Sequence, residues 1–475
     1  MFALSSQSCK KLVIFPSLCE QGQSKNDSQS PPPSTRRCNQ KWRKQFLSTA
    51  SHIKPQHILH GSEKLVFHLQ LLFNAMIQHG CVVGDFLKGT ITPVVKDAEG
   101  DVSDPSNYRP ITLGSLFSKL FEKAIDLKLS PFLNTDQLQF GFKRRTSSSH
   151  ALYVLKSTVN HFTDKGSNVF VSLLDCSKAF DRISHFGLFL KLIERCVPLC
   201  LLILIIVWHL NMTCKVKWGD AVSEEFDIPS GTKQGGIISP KLFSLYIDEI
   251  ATILRKNGVG CHFIDTFVAC ILFADDMALL APSRDALQRM INLCSSFCQE
   301  FCLSFNAKKS KVMVFGKSSK DLLKPLSLNG SNIEYVNEWK YLGTTIKSGC
   351  SLGFSARPDL ASFFRATNSI IHSLPGAHEH TLVTLIYTNC VPILTYACAV
   401  KEYSALEMTN CNTALNSALR RVFGFSRWES IRTLREIFHL KSLYEIFKTT
   451  QDEFSRSCRS HSNPTVALIT SQLSL

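Results

Sequence analysis

Apolar and polar positions are distributed along the chain in patterns that predict both strands and helices. Residues 168–174 form the clearest predicted strand, an apolar run that ends at Asp175. Residues 186–210 predict one long apolar helix, and residues 284–303 predict an amphipathic helix. The final 125 residues show a mostly helical pattern. The chain is therefore expected to combine strands with many helices.

Two further apolar runs surround a pair of adjacent acids. Residues 271–274 and 277–280 flank Asp275 and Asp276, a pattern typical of a tight hairpin with the acids at its turn. Adjacent carboxylates repel each other unless water or a cation neutralises them. Mg²⁺ prefers oxygen ligands, so the two acids are a candidate cation site. A solvated turn is the alternative, because Asp is common in turns.

Composition narrows the class of partner. The chain has 475 residues, 44% of them hydrophobic, with a formal charge of +15 and a pI of about 9.1. This charge predicts a polyanionic partner. The 18 cysteines show no spacing of a disulfide framework or zinc site, which predicts a reduced, intracellular protein in the nucleus, the cytoplasm or both.

Two segments raise separate questions. Residues 196–210 are apolar but shorter than a membrane-spanning helix, so we expect a buried helix and no membrane. Residues 1–51 are polar and Pro-rich, which predicts disorder. The basic cluster at 36–44 suits nucleic acid or a localisation signal, although a solvated charge run is the commoner explanation.

The acids of the chain are placed so that one sheet could bring them together. Asp175 at a strand end can face a hairpin that carries Asp275 and Asp276. Three such carboxylates can hold two divalent ions, the arrangement that serves phosphoryl transfer. Lys96 and Arg109 are candidate cations for a nucleoside triphosphate.

Six segments resemble, in the same order, the sequence boxes of reverse transcriptases from LINE-type retrotransposons, which lack long terminal repeats. They are NYRPI at 107–111, QFGF at 139–142, LDCSKAFD at 174–181, PSGTKQGGIISPKLF at 229–243, FADD at 273–276 and YLG at 341–343. The resemblance implies an α+β fold of the right-hand polymerase type. Fingers and palm, with an antiparallel palm sheet, would occupy residues 52–347, and a helical thumb-like region residues 348–475.

The resemblance also implies roles for acidic and basic residues. Asp175, Asp275 and Asp276 would bind two Mg²⁺ ions, with Mn²⁺ as an alternative, and the backbone carbonyl of Cys176 could add a ligand. Lys96 and Arg109 would bind the triphosphate. Lys309 would protonate pyrophosphate as a general acid, although Lys308 and Lys311 are alternatives and an ordinary basic strand edge is another.

Three more positions would contact the incoming nucleotide. Phe180 would be a steric gate that occupies the space of a ribose 2′-hydroxyl; a core phenylalanine is the alternative. Gln234 and Gly235 would approach the nucleotide, because glycine lets the backbone come close to a ligand. A plain turn at a helix entry is the alternative there.

The sequence pattern of the C-terminal region is less specific for one function. Residues 419–428 interleave cations with aromatic residues, which suits a thumb helix on a template–primer duplex as well as it suits an ordinary amphipathic helix.

The sequence therefore predicts an RNA-directed DNA polymerase that uses an RNA template, a DNA primer and deoxynucleoside triphosphates. An inactive descendant that binds nucleic acid is the alternative. Too few residues precede the fingers for an endonuclease, and no zinc-knuckle spacing follows. We therefore expect a polymerase fragment of a retrotransposon or a host gene derived from one.

Overall fold

The computed structural model describes residues 53–97, 99–317 and 324–473, so the predicted disorder of residues 1–51 lies outside the described residues. The helices are α1 (Pro55–Leu59), α2 (Glu63–His79), α3 (Gly84–Leu87), α4 (Leu116–Leu129), α5 (Ser148–Asp164), α6 (His185–Glu194), α7 (Leu199–Leu210), α8 (Ser239–Ile247), α9 (Glu249–Lys256), α10 (Arg284–Glu300), α11 (Arg357–Ser373), α12 (Glu379–Leu385), α13 (Val391–Thr395), α14 (Ala405–Phe423), α15 (Arg432–Ile437), α16 (Leu443–Arg459) and α17 (Pro464–Gln472).

The strands are β1 (Lys88–Val95), β2 (Tyr108–Leu113), β3 (Val169–Asp175), β4 (Thr213–Trp218), β5 (Ala221–Val222), β6 (Phe226–Asp227), β7 (His262–Phe263), β8 (Thr266–Phe267), β9 (Cys270–Phe273), β10 (Asp276–Ala281), β11 (Lys311–Phe315), β12 (Leu326–Leu328), β13 (Ser331–Tyr335), β14 (Glu338–Tyr341), β15 (Thr344–Lys347) and β16 (Gly353–Ser355). Short 3₁₀ helices occupy Pro105–Asn107 and Ala179–Asp181, and Ile386–Cys390 form a π-helical turn.

The chain forms two compact units that alternate along the sequence. The first unit comprises the described residues up to Thr135 together with Lys178–Ile247 and Phe301–Leu303. The second unit comprises Asp136–Ser177, Asp248–Glu300 and the described residues from Ser304 onward. The predicted division into segments at residues 51 and 347 stays a prediction.

The first unit combines a small sheet with helices. Strand β1 pairs antiparallel with β2 and parallel with β4, which also pairs with β5 and β6. Phe121 of α4 packs on Phe73 of α2 and on Trp208 of α7, with ring centroids 5.0 and 5.6 Å apart. Helix α2 ends where Gly80 adopts a φ of 61°, a backbone conformation that glycine accepts without strain.

The second unit is built on a six-stranded sheet. The strand order is β12-β13-β11-β3-β10-β9, and β3 pairs antiparallel with β10 on one side and β11 on the other. Residues 169–174 of β3 are all buried. A central strand covered on both faces requires a continuous apolar run, which is why residues 168–174 were the clearest strand in the sequence.

The last described helix completes the core of the second unit. Val466 and Ile469 of α17 belong to the same buried apolar cluster as Leu152 of α5 and Val171 of β3. Just before α17, the Asn463 side-chain amide donates a hydrogen bond to the Gln137 carbonyl at 2.6 Å. Helix α17 is therefore part of the packing that supports β3.

Two predicted helices differ from the structure. The single helix predicted over residues 186–210 is wrong: α6 ends at Glu194 and α7 begins at Leu199. Pro198 disfavours helical backbone at the preceding residue, and Cys196 adopts a φ of 53°. Helix α10 ends at Glu300, so Cys302 lies beyond it and is exposed. In the described part of the chain, no helix has both the length and the hydropathy needed to span a bilayer.

Candidate active site

Three predicted acids come together at one end of the second unit's sheet. Asp276, the first residue of β10, pairs directly with Asp175, the last residue of β3. Asp275 lies in the turn between β9 and β10 and is exposed, whereas Asp175 and Asp276 are half-buried. The hairpin predicted from the two apolar runs is thus present, with both acids at its tip.

The tip of this hairpin is shaped by a neighbouring loop. Ala274 adopts a φ of 56°, a conformation that is uncommon for a residue with a side chain. The buried Gln139 side-chain oxygen accepts hydrogen bonds from the backbone N–H of Gly141 at 2.9 Å and of Ala274 at 3.3 Å. A Cβ atom at Gly141 would lie 2.5 Å from the Ala274 nitrogen. The hairpin tip and the QFGF segment therefore fit together only with glycine at position 141.

Asp175 is fixed through its backbone. Its N–H donates to the hydroxyl of the fully buried Ser310 at 3.2 Å, and its carbonyl accepts from the Asn306 N–H at 2.9 Å. The next residue, Cys176, forms an antiparallel bridge with Phe305. Lys309 is exposed in the turn that joins Asn306 to Ser310. The structure thus brings Cys176 and the Lys309 turn to the strand end that carries Asp175.

The three carboxylates influence one another electrostatically. Burial, together with the negative charges of Asp275 and Asp175, raises the pKa of Asp276 to about 6. A cation would relieve this repulsion, and hard carboxylate oxygens are what Mg²⁺ prefers. Within the described ranges, no three His, Cys, Asp or Glu side chains are already arranged to hold a metal ion. The donor set fits a divalent cation, because Mg²⁺ usually takes one or two carboxylates plus water and substrate phosphates.

Lys96 and Arg109 lie on the same hairpin of the first unit. Arg109 of β2 pairs with Val94 of β1, and Lys96 directly follows β1. Both side chains are exposed. The Lys96 ammonium donates to the Ser106 carbonyl at 2.9 Å, which holds it beside the loop that leads into β2. The structure therefore places both predicted triphosphate-binding cations at one end of this hairpin.

Gln234 and Gly235 pack against the same strand as Arg109. The Thr112 N–H of β2 donates to the Gln234 carbonyl at 2.7 Å. Gly235 adopts a φ of 115°, and a Cβ there would lie 2.8 Å from the Thr112 carbonyl oxygen. Only glycine accepts both constraints. The turn around Gln234 is thus held close to the strand of Arg109.

Phe180 lies beside the segment that leads into this turn. Its ring stacks on Phe243 of α8 with centroids 4.6 Å apart, and its carbonyl accepts from the Thr232 N–H at 2.9 Å. The Gln234 side-chain amide donates to the Asp181 carboxylate at 2.8 Å. Phe180, Gln234 and Gly235 therefore form one contiguous group in the first unit.

Supporting residues escaped the sequence reasoning. The buried Glu122 accepts a hydrogen bond from the Ile237 N–H, just after the Gln234 turn. Burial raises the pKa of Glu122, whereas the nearby Lys233 acts in the opposite direction; burial also lowers the pKa of Lys233. Gln139 and Ser310 were likewise given no role, although Gln139 is the first residue of the QFGF segment and Ser310 directly follows Lys309. These positions were the available signal, and the contacts of the two side chains could not be inferred from them.

A family model, curated proteins and solved structures are similar to this chain. The family model described as "Reverse transcriptase (RNA-dependent DNA polymerase)" matches residues 95–346. The probable RNA-directed DNA polymerase from transposon BS of Drosophila melanogaster is 23% identical over 414 residues, which are 84% of this chain and 45% of that protein. The RNA-directed DNA polymerase from mobile element jockey of Drosophila funebris is 24% identical over 297 residues, 60% of this chain and 31% of that protein. The chain spans less than half the length of these relatives.

Among solved structures, apo telomerase from Candida tropicalis is similar with a TM-score of 0.44 and 10% identity, over 86% of this chain and 68% of that one. The family match covers more than half of the chain. It confirms the predicted resemblance, and with the mixed helices and sheets described above it confirms the predicted α+β fold class of right-hand polymerases. The chain belongs to the reverse transcriptase family.

Proposed function

We propose that this chain is an RNA-directed DNA polymerase that extends a DNA primer on an RNA template by two-metal nucleotidyl transfer. The observation that carries the proposal is the register that sets Asp276 opposite Asp175, with Asp275 at the adjoining hairpin tip. Family membership supports the same reaction class. The RNA template, the DNA primer and the deoxynucleoside triphosphates are the partners that this reaction requires.

Asp175, Asp275 and Asp276 would hold two Mg²⁺ ions, with Mn²⁺ as an alternative. The backbone carbonyl of Cys176 would add a further oxygen. When bound, such ions lower the pKa of an attacking hydroxyl and stabilise the charge of the leaving pyrophosphate. The fit rests on three oxygen donors whose mutual repulsion a cation would relieve.

The chain's own residues would position the substrate. Lys96 and Arg109 would bind the triphosphate, because exposed cations on one hairpin suit phosphate oxygens. The Phe180 ring would exclude a ribose 2′-hydroxyl. Gln234 and Gly235 would let the backbone approach the nucleotide closely.

Lys309 would donate a proton to pyrophosphate. The structure favours it over Lys311, whose ammonium is buried and bound to Glu334 at 2.6 Å and to the Lys308 carbonyl at 2.9 Å. Lys309 is exposed, and its N–H donates to the Asn306 side chain at 3.3 Å. Its ammonium is therefore better placed than that of Lys311 to reach a substrate.

Extension of oligo(dT) on poly(rA) with Mg²⁺ tests the proposal. Asp275→Asn should lower the extension rate by on the order of a hundredfold or more, because it removes a metal-binding charge. Asp265→Asn is the matched control: Asp265 is also exposed, between β7 and β8 of the same unit, and its loss should change little. Equal extension by wild type and Asp275→Asn would exclude the assignment. RNA binding without extension by the wild type would favour the inactive nucleic-acid-binding alternative.

A further inference from the structure

A cationic cavity lies in the helical part of the second unit, in a segment of sequence that holds none of the candidate active-site residues. Its volume is about 600 Å³, and its walls are the end of α14, α15 and the start of α16. The charged side chains that line it are Arg420, Arg432, Arg435 and Lys441, opposed by Glu436 and Glu445. Four cations against two acids leave two excess positive charges, so the cavity suits an anionic group.

One arginine in this cavity is held at its wall by a neighbouring side chain. The Arg435 guanidinium donates to the Asn416 side-chain oxygen at 2.7 Å. Both residues line the cavity. A phosphate oxygen in the cavity would form a charge-assisted hydrogen bond with such a guanidinium.

An exposed aromatic side chain lies in the turn that leads to the cavity wall. Trp428 is 82% exposed, and the Arg427 guanidinium lies 4.6 Å from the centre of its ring. Arg420 donates to the Glu429 carbonyl at 2.9 Å, which ties the turn that carries Trp428 to the cavity wall. Ser430, two residues further on, lines the cavity itself. An exposed indole beside arginine is a surface on which a nucleobase can stack.

We propose that this cavity and Trp428 form a binding site for single-stranded nucleic acid, with a phosphodiester in the cavity and the adjacent base stacked on Trp428. The proposal rests on the proposed function only in taking nucleic acid as the ligand. The sequence pattern at 419–428 suggested a helix on a template–primer duplex. Helix α14 instead ends at Phe423, with Gly424 at a φ of 66°, so Trp428 lies in a turn beyond it. A paired, stacked base offers no face to such a side chain, whereas an unpaired base does.

Fluorescence anisotropy with a labelled twelve-nucleotide oligo(U) RNA tests the site, without primer, nucleotide or divalent ion. Trp428→Ala should weaken binding by about tenfold, because the base would lose its stacking partner. Trp428→Phe should keep most of the affinity. Phe364→Ala is the aromatic control, because Phe364 is 45% exposed on α11, outside the cavity lining.

The charge of the site is tested by salt dependence. Lys441→Gln should reduce the slope of log K against log salt concentration by about 0.7, the value for one phosphate contact on a single strand. Lys448→Gln is the matched control: Lys448 is exposed on α16 but does not line the cavity.

Three results would overturn the proposal. The first is unchanged RNA binding by Trp428→Ala. The second is that Trp428→Ala loses as much affinity for a duplex of the same length as for the single strand. The third is that inorganic tripolyphosphate displaces the RNA equally from wild type and from Trp428→Ala. The last result would indicate a site for small anions. Primer extension is measured separately, so failure of the wild type to extend a primer would refute the proposed function and leave the binding result standing.

Discussion

Asp276 lies directly opposite Asp175 in the antiparallel pairing of β10 with β3. The apolar core enforces this register, because residues 277–281 and 169–174 are buried along both strands. A slip of one residue would turn every side chain of one strand to the opposite face of the sheet. The relative placement of the two carboxylates is thus fixed by hydrophobic packing away from them.

Gly141→Ala should impair catalysis by moving the hairpin tip. The new Cβ would lie 2.5 Å from the Ala274 nitrogen, so the backbone beside Asp275 must shift. We expect kcat for dTTP incorporation to fall on the order of a hundredfold, as misplacement of catalytic groups by about 1 Å does. Gly84→Ala is the control, because nothing lies within 4 Å of a Cβ at that position. Normal kcat in Gly141→Ala would refute a role for this contact.

Phe180→Ala should admit ribonucleotides. If the ring occupies the space of the 2′-hydroxyl, its removal should raise the ratio of ribonucleotide to deoxynucleotide incorporation by about tenfold or more, the discrimination typical of one group in a close-fitting pocket. Single-nucleotide extension with UTP and dTTP measures the ratio. Phe186→Ala, at a ring that is 71% exposed on α6, should leave it unchanged. An unchanged ratio in Phe180→Ala would return Phe180 to an ordinary packing role beside Phe243.

Asp181 should act through Gln234. The carboxylate of Asp181 accepts the Gln234 side-chain amide at 2.8 Å, so Asp181→Ala and Gln234→Ala should remove the same interaction. In a double-mutant cycle on kcat/KM for dTTP, we expect a coupling of about 1 kcal/mol.

Ser230→Ala provides the comparison for this cycle. The Ser230 hydroxyl donates to the backbone carbonyl of Asp181 at 3.3 Å, and Asp181→Ala retains that carbonyl. The effects of Ser230→Ala and Asp181→Ala should therefore add. Additive effects of Asp181→Ala and Gln234→Ala would contradict the positioning role.

His209 should make the folded state sensitive to acid. Burial lowers its pKa to about 4, and His185 and Lys233 act in the same direction. The unfolded chain, with an ordinary pKa near 6.5, therefore takes up the proton first. Stability is full above about pH 6.5 and falls between that pH and about 4, by an amount on the order of 3 kcal/mol.

Urea unfolding at pH 7.5 and pH 5 measures this loss. His209→Phe should show a smaller decrease between the two pH values than wild type, because the other titrating groups are common to both. His57→Phe, at an exposed histidine of α1, should behave as wild type. An identical decrease in His209→Phe would show that other groups cause the acid sensitivity.

Local patterns predicted what local forces determine. The run at 168–174 became β3, and the apolar runs around Asp275 and Asp276 became β9 and β10, because burial on both faces of the sheet requires such runs. The hydrogen bonds that hold the site residues in place were not predictable in this way. The bonds from the Asp175 N–H to Ser310 and from the Ala274 N–H to Gln139 each join residues 135 positions apart, and no local periodicity encodes such a pairing.

The error at residues 186–210 had a different origin. The apolar composition of that stretch outweighed Pro198, whose effect on the preceding backbone was a local signal for a break between α6 and α7. The motif residues themselves were found by resemblance, but resemblance did not show that Asp181 and Glu122 hold the Gln234 turn.

The position of α17 in the core of the second unit has a consequence for synthesis of the protein. The Tyr153 hydroxyl on α5 meets the Thr470 hydroxyl on α17 across 317 positions of sequence, so β3 and α5 leave the ribosome long before α17. At ~5–20 residues per second the interval is roughly 15 to 60 s. Throughout that interval the nascent chain carries an apolar surface that α17 later covers. Chaperone supply, as well as codon choice in the segment between β3 and α17, should therefore influence the yield of folded protein.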